Sequence, residues 1–338
     1  MKSIVLSGLE SGEQITHLLE DKEHWAIKAA LAANRPLLVR GEPGIGKTQL
    51  AWAAAVMLNR PLVSMTVDSN TESRELMWTF DAVQRLAEAQ IASATTTNKK
   101  ELQDLIMVKN FVRPGPIWWA FDWNSAKDLL RPGENPPALL STQNETQWTP
   151  DQGVVILIDE IDKAESDVPN GLLEALGYRE FTPLGRDEPI KLASDVQPPL
   201  IVITTNEERV LPDAFVRRCF VLPLELPDIS TEDGQNKFVE HLVKRGETHF
   251  PASPKVMISP AEETQEGQPK PLPQAAAELL LKDRQRAIKN QQTPLPGQAE
   301  YLDFLRAIMK LADKGEDPSN VFKQVQSFVF SKSSGVRG

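Results

Sequence analysis

The octapeptide Gly41-Glu42-Pro43-Gly44-Ile45-Gly46-Lys47-Thr48 constrains this chain more than any other stretch. It matches G-x-x-x-x-G-K-[ST] and sits between a short apolar strand, Pro36 to Arg40, and a helix-like run with few polar groups, Gln49 to Asn59. Glycines let the backbone turn tightly and aim successive N–H groups at phosphate oxygens, and the helix that follows adds its positive end. Lys47 would neutralise β- and γ-phosphates, Thr48 would ligate Mg²⁺, and Gln49 completes the nucleotide-binding run. Chance gives the pattern in about one chain of this length in a hundred. Its placement between a strand and a helix is what makes the plain glycine turn the weaker reading.

A second segment supplies the acids. Val154 to Ile158 is a continuous apolar run, suited to a central parallel strand covered on both faces, and it leads into Asp159-Glu160. Two acids there lie at the carboxyl edge of the sheet, where ligands of such sheets bind. Asp159 would hold Mg²⁺ directly or through water, and Glu160 would orient and polarise an attacking water. Alone, the pair reads as a solvated acidic turn; beside the cradle it reads as half of a site. After the strand Leu200 to Thr204 come Thr205 and Asn206, whose amide can hydrogen-bond a γ-phosphate or the water. The blander reading is a turn asparagine that stabilises its own loop.

Strands alternating with helices across residues 35–227 indicate a wound α/β sheet. Residues 1–34 read as an N-terminal helical segment, with an amphipathic helix over 12–34 that uses Ile15, Leu18, Leu19, Trp25, Ile27 and Leu31. A helix is expected over 72–90, an irregular insertion around 92–150, and a hairpin over 181–192. Ser230-x-x-Asp233 carries a capping signature for the first helix of a helical region, 228–330. That region is interrupted by a Pro-rich loop over 251–273, and 331–338 reads as a disordered tail. Trp118, Trp119 and Trp123 could face a partner or a pore, but packing within the insertion is the plainer expectation. The lone Cys219 excludes an intrachain disulfide and reads as a small buried side chain.

These motifs, with Pro212-Asp213-Ala214-Phe215-Val216-Arg217-Arg218 and Arg113-Pro114-Gly115-Pro116-Ile117-Trp118-Trp119-Ala120-Phe121-Asp122, resemble a MoxR-type AAA+ ATPase from about residue 12 to 310. The resemblance implies an α/β AAA+ P-loop NTPase with a parallel sheet of order 5-1-4-3-2 and a smaller all-helical lid. It also implies ATP and Mg²⁺ as cofactors, a hexameric ring, and a chaperone or remodelling role, often with a partner carrying a von Willebrand A domain. In such ATPases an arginine at Arg217 or Arg218 reaches the neighbouring subunit's γ-phosphate, and Arg218 is the preferred of the two. A surface pair in local salt bridges is the alternative. The family's lid arginine falls at Ala299 here, so the lid is expected to sense nucleotide weakly, or by another residue such as Arg306.

Composition bounds the partners. The chain has 338 residues and a net charge of −10, with 47 acids against 37 bases. That balance disfavours unspecific binding to a nucleic-acid backbone, so nucleic acid is not an expected partner. No stretch reaches the ~20 apolar residues that cross a bilayer. Met1 to Glu10 lacks an export pattern, so a cytoplasmic location is expected. Two rival functions stand beside the remodelling ATPase. One is a nucleic-acid-directed motor similar to GTP-using restriction motors. The other is a nucleotide-gated scaffold with little turnover, against which Glu160 and Asn206 argue. The choice between ATP and GTP is open at this level.

Overall fold

The computed structural model describes residues 2–6, 15–95, 99–140, 147–259 and 268–329. The expected tail at 331–338, and 260–267 of the Pro-rich loop, lie outside the described residues. The chain opens with β1 (Lys2–Leu6) and β2 (Ile15–Leu19), an antiparallel pair registered from Lys2 with Leu19 to Leu6 with Ile15. This corrects the helix expected over 12–34. Ile15, Leu18 and Leu19 have helical spacing, but pairing with β1 buries Ile4, Leu6 and Leu19 in the core, and tertiary burial outweighs local periodicity. The helix α1 (Asp21–Ala33) begins only after Glu20, whose N–H donates to Glu23 Oε2 at 2.6 Å. Its Ile27 is fully buried, whereas Trp25 points to solvent at 66% exposure.

From there the chain alternates. In order come β3 (Leu37–Arg40), α2 (Lys47–Leu58) and β4 (Leu62–Thr66). The single helix expected over 72–90 is instead a 3-10 turn at Ser73–Leu76, the strand β5 (Trp78–Phe80) and then α3 (Ala82–Thr95). The break falls at Asp81, whose carboxylate accepts the Gln84 N–H at 2.9 Å and so starts α3 late. The insertion is more regular than its sequence suggests: α4 (Lys99–Leu105), β6 (Val112–Pro114) paired with β5, α5 (Pro116–Phe121) and α6 (Trp123–Lys127). Trp118 and Trp119 are buried in its core, and Trp123 stacks edge-on between Trp119 and Trp148 at 4.9 and 4.7 Å.

The central strands follow: β7 (Val155–Asp159), α7 (Asp167–Tyr178), the short pair β8 (Glu180–Phe181) and β9 (Ile190–Lys191), β10 (Leu200–Thr205), α8 (Asp213–Val216) and β11 (Phe220–Pro223). Strands β3, β4, β7, β10 and β11 form one parallel sheet in the order β11-β3-β10-β7-β4. Numbered among themselves along the chain, they run 5-1-4-3-2. The innermost strand, β10, is buried at every position, as two covered faces require. Two apolar clusters fill those faces, one toward the insertion and α7, the other toward α1 and α2. Cys219 lies in the first, and burial pushes its thiol up to about 11.

Among the described residues, the remainder is helical except for a two-residue ladder of β12 (Met257–Ile258) with β13 (Lys270–Pro271) and the connecting loops. Its helices are α9 (Glu232–His249), α10 (Leu272–Lys289), α11 (Gln298–Ala312) and α12 (Pro318–Val329). A third apolar cluster, built around Phe238, Leu280, Tyr301 and Phe304, holds them together. The α9 cap is Thr231, one residue past the expected Ser230: its hydroxyl accepts the Gly234 N–H, while the Ser230 hydroxyl donates to Asp228. Among the described residues, no helix is long and apolar enough to cross a membrane.

Where this region meets β2, His17, His241 and His249 surround Arg245, which donates to Glu20 at 3.0 Å. Burial first, and the Arg245 guanidinium second, lower each imidazole to about 4. His241 shows the cause directly, since its Nε2 accepts from Arg245 Nε at 2.8 Å and a protonated ring could not. Unfolded imidazoles titrate near ~6.5. Between that pH and 4 the unfolded chain therefore binds more protons, and stability falls as the pH drops. Three histidines set a ceiling of about 4 kcal/mol per pH unit, which Glu23, raised by its own burial, partly offsets. Urea midpoints should fall clearly between pH 7 and 5.5; a flat midpoint over that range would contradict the assignment.

Candidate phosphate-binding site

The turn after β3 is shaped by Gly41, Gly44 and Gly46 at φ of +152°, +76° and +102°, values that other residues rarely adopt. Gly44 has a second reason to lack a side chain. A Cβ there would come within 2.5 Å of the Ala299 methyl on α11, so the lid helix presses directly on the cradle. Lys47 opens α2 and is only 7% exposed. Its ammonium donates to Gly41 O at 2.8 Å, Glu42 O at 3.0 Å and Asn206 Oδ1 at 2.7 Å. Burial lowers its pKa, and Asp159, Asp162 and Glu160 oppose that. All three acceptors are neutral, so an anionic oxygen entering the cradle would compete for the ammonium on favourable terms.

The carboxyl ends of β7 and β10 supply the opposite wall. The Thr48 hydroxyl donates to Asp159 at 3.0 and 3.2 Å, and the Thr204 hydroxyl donates to Asp159 Oδ1 while accepting the Glu160 N–H at 2.9 Å. Thr48 and Asp159 are hard oxygen donors of the type Mg²⁺ takes, and they are already in contact. Glu160 leaves the strand in the left-handed region, at φ +61° and ψ +45°. Its carboxylate accepts from Asn206 Nδ2 at 3.3 Å and pairs with Lys163 Nζ at 2.5 Å. Asn206 therefore bridges Lys47 and Glu160, and its own N–H is held by Asp162 Oδ1 at 3.3 Å.

Pro43, Gly44, Gly46, Lys47, Thr48 and Gln49 line a cleft of about 410 Å³ with Asp159, Glu160 and Asn206. Thus most of the residues read from the sequence come together. The Ile45 side chain turns inward and is buried. Glu42 turns toward the lid, where Arg284 of α10 binds both its carboxylate oxygens at 2.5 and 3.0 Å and also donates to Pro296 O at 2.9 Å. Arg306 lines the cleft but is paired with Asp303 at 2.5 Å.

Arg217 and Arg218 are not brought to this cleft. The register sets Phe220 beside Leu37 and Pro223 beside Arg40, so both arginines precede the amino end of β11 while the cradle follows the carboxyl end of β3. A four-residue strand, ~13 Å, separates the two ends. Arg218 instead lines a second cleft, of about 570 Å³, with Arg35 and Arg179.

Sequence reasoning missed Arg284, Lys163 and Thr204. Thr204 carried a signal, a hydroxyl ending an apolar run, as did Lys163 three residues after Glu160. Arg284 carried none, because its partner is 242 positions away.

The family described as AAA domain (dynein-related subfamily) matches residues 36–219, a little over half of the chain. No curated protein matches. Among solved structures the chain is similar to the RuvB Holliday junction branch migration motor of Thermotoga maritima, with 15% identity over 93% of this chain and 70% of that one, and a TM-score of 0.41. It is also similar to NtrX from Brucella abortus, solved in complex with ATP, with 14% identity over 90% of this chain and 56% of that one, and a TM-score of 0.46.

Proposed function

Because the chain belongs to the AAA family, in its dynein-related subfamily, we propose that it hydrolyses MgATP at this cleft, in a ring of subunits, to remodel a protein partner. The observation that carries the reading is the bridge from Lys47 through Asn206 to Glu160, set against the Thr48–Asp159 pair. One arrangement holds phosphate charge, a cation and a water-directed carboxylate within a single cleft. The cradle N–H groups and Lys47 bind phosphate oxygens. Thr48 and Asp159 would hold Mg²⁺, which when bound neutralises developing negative charge on the phosphates. Glu160 accepts the proton of the attacking water, and Asn206 positions both the carboxylate and the ammonium. Lys163, on the second oxygen of Glu160, fixes the direction in which the first one faces.

The ring is supported by the placement of Arg218. It is too far from its own cradle to serve it, yet it stands with Arg35 and Arg179 in an open cleft where a neighbour's phosphates would meet three guanidinium groups. The resemblance to MoxR-type ATPases extends the proposal to a hexamer and to a partner with a von Willebrand A domain. Lys47→Ala tests the phosphate half of the reading. A charge-assisted hydrogen bond of about 1.5–3 kcal/mol corresponds to roughly tenfold or more in affinity. Calorimetry should show at least that loss of MgATP binding in a variant whose thermal unfolding stays cooperative, and unchanged affinity would remove Lys47 from the site.

A further inference from the structure

Glu42 is held from two directions. Its carbonyl oxygen accepts from the Lys47 ammonium at 3.0 Å, inside the cradle. Its carboxylate lies outside, in a separate cleft of about 510 Å³ shared with Arg40, Glu207 and Arg284. There Arg284 donates to both carboxylate oxygens, at 2.5 and 3.0 Å, and the same guanidinium donates to Pro296 O at 2.9 Å. Pro296 leads directly into Gly297, the cap of α11, and a Cβ on Gly297 would lie 3.8 Å from Glu42 Oε2. A carboxylate beside the amino end of a helix is favoured by the helix dipole as well. One residue thus joins the phosphate-binding ammonium to two helices of the lid.

This contact is placed to pass a movement on. Arg284 is only 8% exposed, and its planar fork grips a carboxylate in one orientation. The backbone on either side of Glu42 has no slack. A Cβ on Gly41 would lie 2.3 Å from Leu224 O, and one on Gly44 would meet the Ala299 methyl. A phosphate oxygen competes for the Lys47 ammonium, and its hold on Glu42 O is then released. With both neighbours packed, a shift of residue 42 reaches its carboxylate and, through it, Arg284. On α11, by contrast, Arg306 is paired with Asp303, and Ala299 brings no charge to the phosphate cleft.

We propose that Arg284 is a positioning residue that couples phosphate occupancy of the cradle to the placement of α10 and α11 through the carboxylate of Glu42; this rests on the reading of the cradle as a nucleoside triphosphate site. Arg284 does not line the phosphate cleft, so its effect on nucleotide passes through Glu42. The lid then responds to nucleotide by a charged contact that the nucleotide itself never touches.

Amide hydrogen exchange of the full chain, with and without saturating Mg²⁺ complex of β,γ-imido-ATP, tests this. In the wild-type protein the analogue should slow exchange in the cradle, residues 41–49, and in α11 by about fivefold or more, the low end of couplings between sites. Arg284→Met, similar in length but uncharged, should keep the cradle's response and lose most of that in α11. Glu42→Gln should lose it too, and the double variant should lose no more than either, because both act through one contact. A purely structural role would speed lid exchange equally with and without the analogue and leave the response intact. A response in α11 that survives in both single variants, a double variant that loses clearly more than either, or a wild-type lid indifferent to the analogue while the cradle responds would overturn the coupling and leave the cradle standing. If Arg284→Met does not fold, Glu42→Gln, at an exposed carboxylate, decides alone. An analogue that slows exchange nowhere in the wild-type protein would instead overturn the cradle, and the coupling with it.

Discussion

Glu160→Gln should bind MgATP with the affinity of the unaltered protein and hydrolyse it at least about a hundredfold more slowly. The amide is nearly isosteric with the carboxylate, so the left-handed turn at residue 160 and the Thr204 contact to its N–H survive. What changes is the side chain. An amide cannot take a proton from water, and only one of its two terminal atoms can accept, where Asn206 and Lys163 both donate to Glu160. Binding is spared because the hydrogen bonds that hold Lys47, Thr48 and Asp159 in place do not involve the Glu160 side chain. Single-turnover phosphate release beside calorimetric affinity separates the two effects. Turnover near that of the wild-type protein would remove Glu160 from the chemistry.

Much of this frame was legible in the sequence because it rests on local rules. The apolar run into Asp159-Glu160, the strand ending at Thr204 and the glycine-rich turn each announce a strand end at the ligand-binding edge, whereas the order 5-1-4-3-2, which the sheet has, was implied by the family resemblance and by none of these local rules. The amino-terminal strands were not legible, since Ile15, Leu18 and Leu19 satisfy helical spacing and only the partner strand at Lys2–Leu6 decides otherwise. The break at Asp81 was hidden for the same reason: β5 exists because β6, more than thirty positions later, pairs with it. Contacts between cradle and lid, such as Glu42 with Arg284 and Ile45 with Gln298, join residues more than two hundred positions apart. No periodicity or spacing encodes them. Arg218 is the intermediate case: a motif singled it out, while its distance from the cradle emerged only from the register of β11 with β3.

That distance supports the second large effect. Arg218→Ala should keep MgATP binding, because its own cradle retains Lys47, Thr48 and Asp159, and should lose hydrolysis steeply. Arginines that reach a neighbour's γ-phosphate contribute ~10³–10⁵ in rate. The guanidinium is exposed, and no acid pairs with it among the described residues, so its removal leaves no buried charge behind. Unfolding temperature should therefore change little. A large loss of stability with a proportional loss of binding would assign Arg218 a structural role.

Phosphate release by mixed rings of Arg218→Ala and Glu160→Gln subunits tests most directly whether hydrolysis occurs at sites shared between neighbours. Each variant alone should be nearly inactive. In a mixture, some interfaces pair the intact Glu160 of an Arg218→Ala subunit with the intact Arg218 of a Glu160→Gln subunit. Activity should return in proportion to the fraction of such interfaces and peak near equal amounts of the two. Verified mixed assemblies that remain as inactive as either parent would contradict a shared site.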